Sequence, residues 1–251
     1  MTAISRRAFH GGTLGSLLTY SLLETLFADD AFSSEVKPIA AQWLRQLDEL
    51  GRQCKGQKIS QLQWQEQVEA LLAKVDLEEL IRFIDLDKLT EGIKLRDKGA
   101  RSIRPKFPEV EGLPTSLVFG RQVFAMKKGR SVVPHGHNNM ATAFIVLRGK
   151  FQGRHYDRLA DEEEHMIIKP TIDRGFGPGE YSTVSDEKDN VHWFQATSGE
   201  GYIFNFHVLG VNAAAKRKTG RVYIDPAGEK LKDGTIRARR INAARAHDLY
   251  G

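Results

Sequence analysis

Beyond Leu117 the chain becomes a succession of short apolar runs punctuated by Gly, Pro and Asp: VFGRQVFAM at 118–126, ATAFIVLRG at 141–149, HMIIKP at 165–170, VHWFQAT at 191–197 and YIFNFHVLG at 202–210. Runs of this length, alternating or continuous and rich in β-branched and aromatic residues, read as strands. Many short strands at near-regular spacing bury their apolar faces by closing into a sandwich or a barrel. The stretch 221–240 reads as a hairpin with its turn at Asp225–Gly228 or at Asp233-Gly234, and a short terminal helix follows.

Residues 36–95 follow a different period. Ile39, Trp43, Leu44, Leu47 and Leu50, then Val68, Leu71, Leu72 and Val75, then Leu80, Ile81 and Ile84 recur at helical spacing, which predicts three or four amphipathic helices. Breaks are expected at Gly51, at Lys55-Gly56 and near Asp76, with Ser60 as an N-cap and Glu66 too far along to complete a capping box. Trp43 and Trp64 lie on the apolar stripes and read as packing surface. Between 99 and 116, Gly99, Pro105, Pro108, Gly112 and Pro114 among charges mark a connecting segment. The fold class that results is mainly β, a barrel over 99–251 preceded by a small helical region.

With 251 residues, 41% of them hydrophobic, the chain can bury one substantial core and carry a helical extension. Its net charge of +5 is spread along the chain and mixed with acid, as at 161–164. Only 216–218 and 237–240 are locally basic, and no basic motif is interleaved with aromatics, so nucleic acid is not an expected partner. The single cysteine, Cys54, excludes an intramolecular disulfide and a Cys-rich zinc site, and it lies in a helical region with no partner that would make it catalytic. At the N-terminus, Arg6-Arg7-Ala8-Phe9 precedes an apolar stretch from Gly11 to Leu23 and then Phe27-Ala28-Asp29. That is the layout of an export signal of the twin-arginine type over 1–30, which predicts a periplasmic protein. The apolar stretch is too short and too polar to anchor in a bilayer, so no membrane insertion of the mature chain is expected.

The motif that carries chemistry is His135-Gly136-His137. Residues two apart on a strand point to the same face, so two imidazoles can meet one metal, and the glycine between them lets the backbone sit close. Pro134 precedes the pair, and Gly149 supplies a turn after the next apolar run. A third candidate, His192, lies in another strand 55 residues on, a separation that a barrel closes readily. One divalent metal on His135, His137 and His192 is the expectation.

The stretch from His135-Gly-His137-Asn-Asn-Met140 through Leu147-Arg-Gly149 to Tyr156-Asp157, with Asn190-Val191-His192-Trp193-Phe194 downstream, resembles the metal-binding motifs of cupins. Within them it is most similar to the thiol dioxygenases of the cysteamine dioxygenase and plant cysteine oxidase family. The similarity covers roughly residues 115–210. It implies a double-stranded β-helix (jelly-roll) barrel, Fe(II) on the three histidines, and a small thiol oxidised by dioxygen to a sulfinate. Where the general cupin pattern has a further glutamate ligand, this chain has Ala141 and Thr142. Three neutral ligands leave the full dication charge on the metal, which favours an anionic incoming ligand such as a thiolate, and they leave coordination positions open.

Two positions depart from the family: Asn138 stands where proline is common, and His207 where aspartate is frequent. His207 reads as a fourth ligand, a hydrogen-bond partner of the site or a core histidine. Tyr156 and Tyr202 are candidates to hydrogen-bond an oxygen intermediate, against a packing role. Arg121, Arg148 and Arg154 are candidates for a substrate carboxylate, against solvated strand faces. His155 and His165 lack ligand spacing with any other residue and read as surface. The same barrel and triad could also serve isomerase or lyase chemistry with Zn, Mn or Ni, or a non-catalytic exported metal-binding protein. The helices would either cap the barrel mouth or form a homodimer contact.

Overall fold

The computed structural model describes residues 32–107 and 116–251, so the export segment read at 1–30 lies outside the described residues. Helices α1 (Phe32–Lys55), α2 (Gln61–Leu72), α3 (Leu77–Ile84) and α4 (Leu86–Thr90) come first. Ser60 caps α2 with its hydroxyl, which accepts from the Gln63 amide at 3.1 Å, while the Gln63 side chain accepts from the Ser60 amide at 2.9 Å. The capping box that Glu66 is too distant to make is thus completed by Gln63. Asp76 caps α3 in the same manner, accepting from the Glu79 amide at 3.0 Å. Gly51 does not break α1, which runs on to Lys55; a Cβ at Gly51 would lie 2.6 Å from Val118 Cγ1, so the glycine lets the helix lie close against the sheet.

The strands are β1 (Arg101–Ile103), β2 (Phe119–Lys127), β3 (Ser131–Asn138), β4 (Met140–Arg148), β5 (Phe151–Asp161), β6 (His165–Phe176), β7 (Tyr181–Val184), β8 (Val191–Ala196), β9 (Glu200–Leu209), β10 (Gly220–Lys230) and β11 (Ile236–Arg240). One sheet has the order β1-β2-β9-β4-β7; the other contains β6-β5-β8-β3. All pairs are antiparallel, and strands β2 to β5 alternate between the two sheets. Two facing four-stranded sheets ordered β2-β9-β4-β7 and β3-β8-β5-β6 make a jelly roll. The C-terminal hairpin adds a feature of its own: β10 pairs with β3 and β11 with β6, so the second sheet closes on itself as a six-stranded ring. The hairpin turns at Leu231–Thr235, with Gly234 at φ +83°, whereas Asp225–Gly228 forms a bulge within β10 and not the turn.

Three apolar cores result. Under the helices, Leu44, Trp64 and Val68 pack on the outward residues Ala143, Ile145, Phe204 and Phe206. Between the two sheets lie Phe124, Phe144, Phe151, Phe194 and Ile203. Inside the six-stranded ring lie Met166, Ile168, Val191, Ile224 and Ala238. Strand β4 is therefore covered on both faces, which is why it reads as a continuous apolar run and not an alternating one. Helix α5 (Ala243–Tyr250), capped by Asn242, places Tyr250 edge-on to Trp193 with ring centroids 5.3 Å apart. No described helix is long and apolar enough to cross a membrane.

Trp64 is fully buried at the junction of α2 and the sheet. Replacing it in a Trp64→Ala variant is expected to cost about 3–5 kcal/mol of stability. Urea unfolding measures this, and a loss below about 1 kcal/mol would contradict a helical layer that shares its core with the barrel.

Candidate metal centre

The site begins with strand alternation on β3 and β8. His135 and His137 face the interior between the sheets, while Gly136 faces the ring, where a Cβ would sit 2.9 Å from Asn190 Oδ1 and 3.1 Å from Val191 Cγ2. The glycine leaves room for Asn190, whose amide donates to the carbonyls of His137 and Ser185, each at 2.9 Å. Arg158, held by Asp161 at 2.7 and 2.9 Å, donates to the same His137 carbonyl at 3.1 Å and to Asn138 Oδ1 at 2.7 Å. The His137 end of the His-Gly-His segment is thereby fixed before any ligand binds. Across the sheet His135 stands opposite His192, which brings the third imidazole to the first two.

His137 Nε2 lies 3.2 Å from His135 Nε2 and 3.4 Å from His192 Nε2. All three side chains are 1% exposed, and their ligand atoms fall within 4.8 Å of one another. The Nδ1 of His135 sits 2.8 Å from the Val133 carbonyl, which can only accept, so the proton is on Nδ1 and the Nε2 lone pair points inward. His137 Nδ1 lies 3.4 Å from Thr142 Oγ1. Burial pushes His135 down to about 3 and holds His137 and His192 well below the usual histidine range, with mutual repulsion and Arg221 adding to it. The three rings are therefore neutral, the protonation state that a metal requires.

These residues fit a divalent cation. Metal–nitrogen bonds of about 2.0–2.1 Å place neighbouring ligand nitrogens about 2.9 Å apart at right angles and about 3.3 Å apart at tetrahedral angles; the two separations from His137 Nε2 are 3.2 and 3.4 Å. His137 Nε2 carries at most one proton, so it can make a good hydrogen bond to only one of its two nitrogen neighbours. A cation accepts all three lone pairs at once. His192 Nδ1 is buried without a protein partner, and as an N–H it would complete the tautomer in which Nε2 faces inward.

A cavity of about 10 Å³ adjoins the three rings, walled by Phe124, Phe144, Asn205 and His207, with Arg221 at its rim. That is room for about one water molecule. No carboxylate among the described residues lines it. His207 belongs to the wall and not to the group of three: its ring lies over Gly120, and its Nδ1 faces Asn205 Oδ1 at 3.4 Å. Burial, then the charges of Arg221 and Arg104, push His207 down to about 4.

Other candidates fall elsewhere, for reasons of alternation. Tyr156 faces the ring, on the side of β5 opposite His155, and so turns away from the three histidines. Tyr202 lies on the outer face of its sheet and donates to Glu200 at 2.8 Å. Arg121 covers Phe107, Arg148 pairs with Asp87 and Arg154 covers Trp193, so none of the three reaches the cavity. Burial pushes the Cys54 thiol up to about 11, which makes it inert.

His155 corrects the surface reading. It is 0% exposed, follows Phe151 and Gly153 on the inward face of β5, and stands opposite His192 with ring centroids 6.0 Å apart. The inward alternation from Phe151 was the available clue. His165, by contrast, is part-exposed beside Glu162. Arg221 is the cavity residue that sequence reasoning missed, because it reaches the site through the pairing of β10 with β3, where it stands opposite His137.

No protein family model matches the chain, and no curated protein matches it. Among solved structures, an oxalate oxidase shares 14% identity over 54% of this chain and 61% of its own, with a TM-score of 0.37. A cupin superfamily protein from Desulfitobacterium hafniense shares 14% over 47% and 84%, with a TM-score of 0.31. Procruciferin from Brassica napus shares 12% over 38% of this chain, which spans about a fifth (21%) of the procruciferin chain, at a TM-score of 0.30. What makes the chain a jelly roll is its own strand order.

Buried imidazoles give the metal-free protein a pH dependence of known sign. Below about pH 6.5 the unfolded chain takes up protons on these histidines, whereas the folded chain, with His135 and His155 near 3, does not. Stability is thus expected to fall as pH drops from 7.5 to 5, read as a declining urea midpoint. A midpoint unchanged over that range would contradict buried neutral histidines.

Proposed function

We propose that the chain is a non-haem Fe(II) dioxygenase that oxidises a small thiol to a sulfinate at His135, His137 and His192. The observation that carries this reading is the donor set: three neutral imidazoles converge, and no carboxylate lines the cavity beside them. A dication held this way keeps its full charge and favours an anionic ligand such as a thiolate. Bound there, iron supplies the oxygen chemistry. The overall conversion needs no further reductant, since a thiol plus one dioxygen contains all the atoms of the sulfinic acid.

The protein's own part is positioning and exclusion of water. The Val133 carbonyl orients His135, the Asn190 and Arg158 contacts fix the backbone of His137, and Phe124, Phe144 and Val132 supply the apolar part of the cavity wall. His207 stands outside the group of three, which favours open coordination positions over a saturated site. The small cavity favours a second reading, a metal-binding protein without turnover, because a substrate must displace wall side chains to enter.

Elemental analysis of protein purified without added metal is expected to give iron near one per chain, lost in His192→Ala, together with thiol-dependent oxygen uptake. Zinc, manganese or nickel without uptake would sink the dioxygenase reading and move the assignment to isomerase, lyase or binding chemistry. We propose further that residues 1–30 direct twin-arginine export to the periplasm. A reporter fused to them should leave the cytoplasm, and the Arg6→Lys/Arg7→Lys double variant should retain it; export of both, or of neither, would contradict that route.

A further inference from the structure

Among the described residues, Arg221 is the one formally charged side chain around the cavity of the three histidines. Five other arginines of this region, Arg148, Arg158, Arg174, Arg217 and Arg240, each meet a carboxylate. Arg221 is exposed to solvent at the rim of the site and has no carboxylate or carbonyl partner among the described residues. Arg104 is likewise without a partner there, and its charge acts on the same wall residue, His207, as that of Arg221 does. A guanidinium left unpaired beside a cavity with no acidic group is a fork awaiting an oxyanion.

We propose that Arg221 recognises a carboxylate on the substrate, so that the ligand class is a small mercaptocarboxylate whose sulfur meets the histidine centre and whose carboxylate meets the rim. The proposal rests on the thiol reading of the site and narrows it. It excludes aminothiols, whose ammonium group would face Arg221 and Arg104 with like charge. The backbone of Arg221 is paired directly opposite His137, so its side chain starts from a fixed point beside the metal-facing imidazoles.

The test uses the full chain loaded with cobalt(II) and titrated by calorimetry with 3-mercaptopropionate, 2-mercaptoethanol, 2-aminoethanethiol and propionate. Comparing each probe between wild type and Arg221→Gln removes differences in thiol acidity. The variant is expected to weaken 3-mercaptopropionate and propionate by about ten- to hundredfold. Affinity for 2-mercaptoethanol and cobalt content should stay unchanged, and Arg221→Lys should recover part of the loss. Equal affinities for 3-mercaptopropionate in wild type and variant, or preferred binding of 2-aminoethanethiol, would overturn the proposal. Propionate binding that depends on Arg221, with no thiol binding at all, would uphold the carboxylate subsite and refute the thiol reading. Thiol binding indifferent to charge would do the reverse.

Discussion

Strand β3 is shared by two interiors, and the site depends on that sharing. Its odd-numbered histidines face the space between the jelly-roll sheets, while Gly136 faces the six-stranded ring. A strand has only two faces, so each residue added to one side is a residue placed on the other. On β8 the same rule puts His192 and Phe194 inward and Val191 and Trp193 into the ring. A shift of one residue in either strand would carry the imidazoles into the wrong core. The Asn190 side chain, bonded to both the amide and the carbonyl of His137, pins that register at the point where it matters.

The electrostatics follow from the same placement. Two sheets close over the histidines, so burial keeps the rings neutral and their lone pairs available. Because β4 turns Thr142 and no carboxylate to the cavity, nothing among the described residues lining it cancels an added positive charge. A bound dication thus meets three uncharged donors and a nearby guanidinium. Anionic ligands are favoured by every charged element of that arrangement, and a cation-bearing ligand by none.

Much of this was legible in the sequence where one strand suffices. Alternation within His135-Gly136-His137 gives the shared face, and apolar runs with Gly and Pro breaks give the barrel. Pairing between distant strands was less legible. Arg221 joins the site only because β10 lies beside β3, and the hairpin's closure of a ring has no local signature. His155 has no ligand spacing to mark it, and its one clue in the sequence is the inward face it shares with Phe151. Gly51 reads as a breaker by propensity, yet close packing against Val118 outweighs a helix cost of about 1 kcal/mol. Ser60 is legible as a cap; its partner is a glutamine, Gln63, which completes the box as a glutamate would.

The central claim is that three histidines, and no other side chain, hold one metal. X-ray absorption at the metal edge of the iron-loaded protein addresses it directly. Three imidazole ligands at about 2.0–2.2 Å are expected, with the remaining positions filled by light exchangeable ligands. Four imidazoles, which would bring in His207, or a protein carboxylate in the first coordination sphere would contradict it.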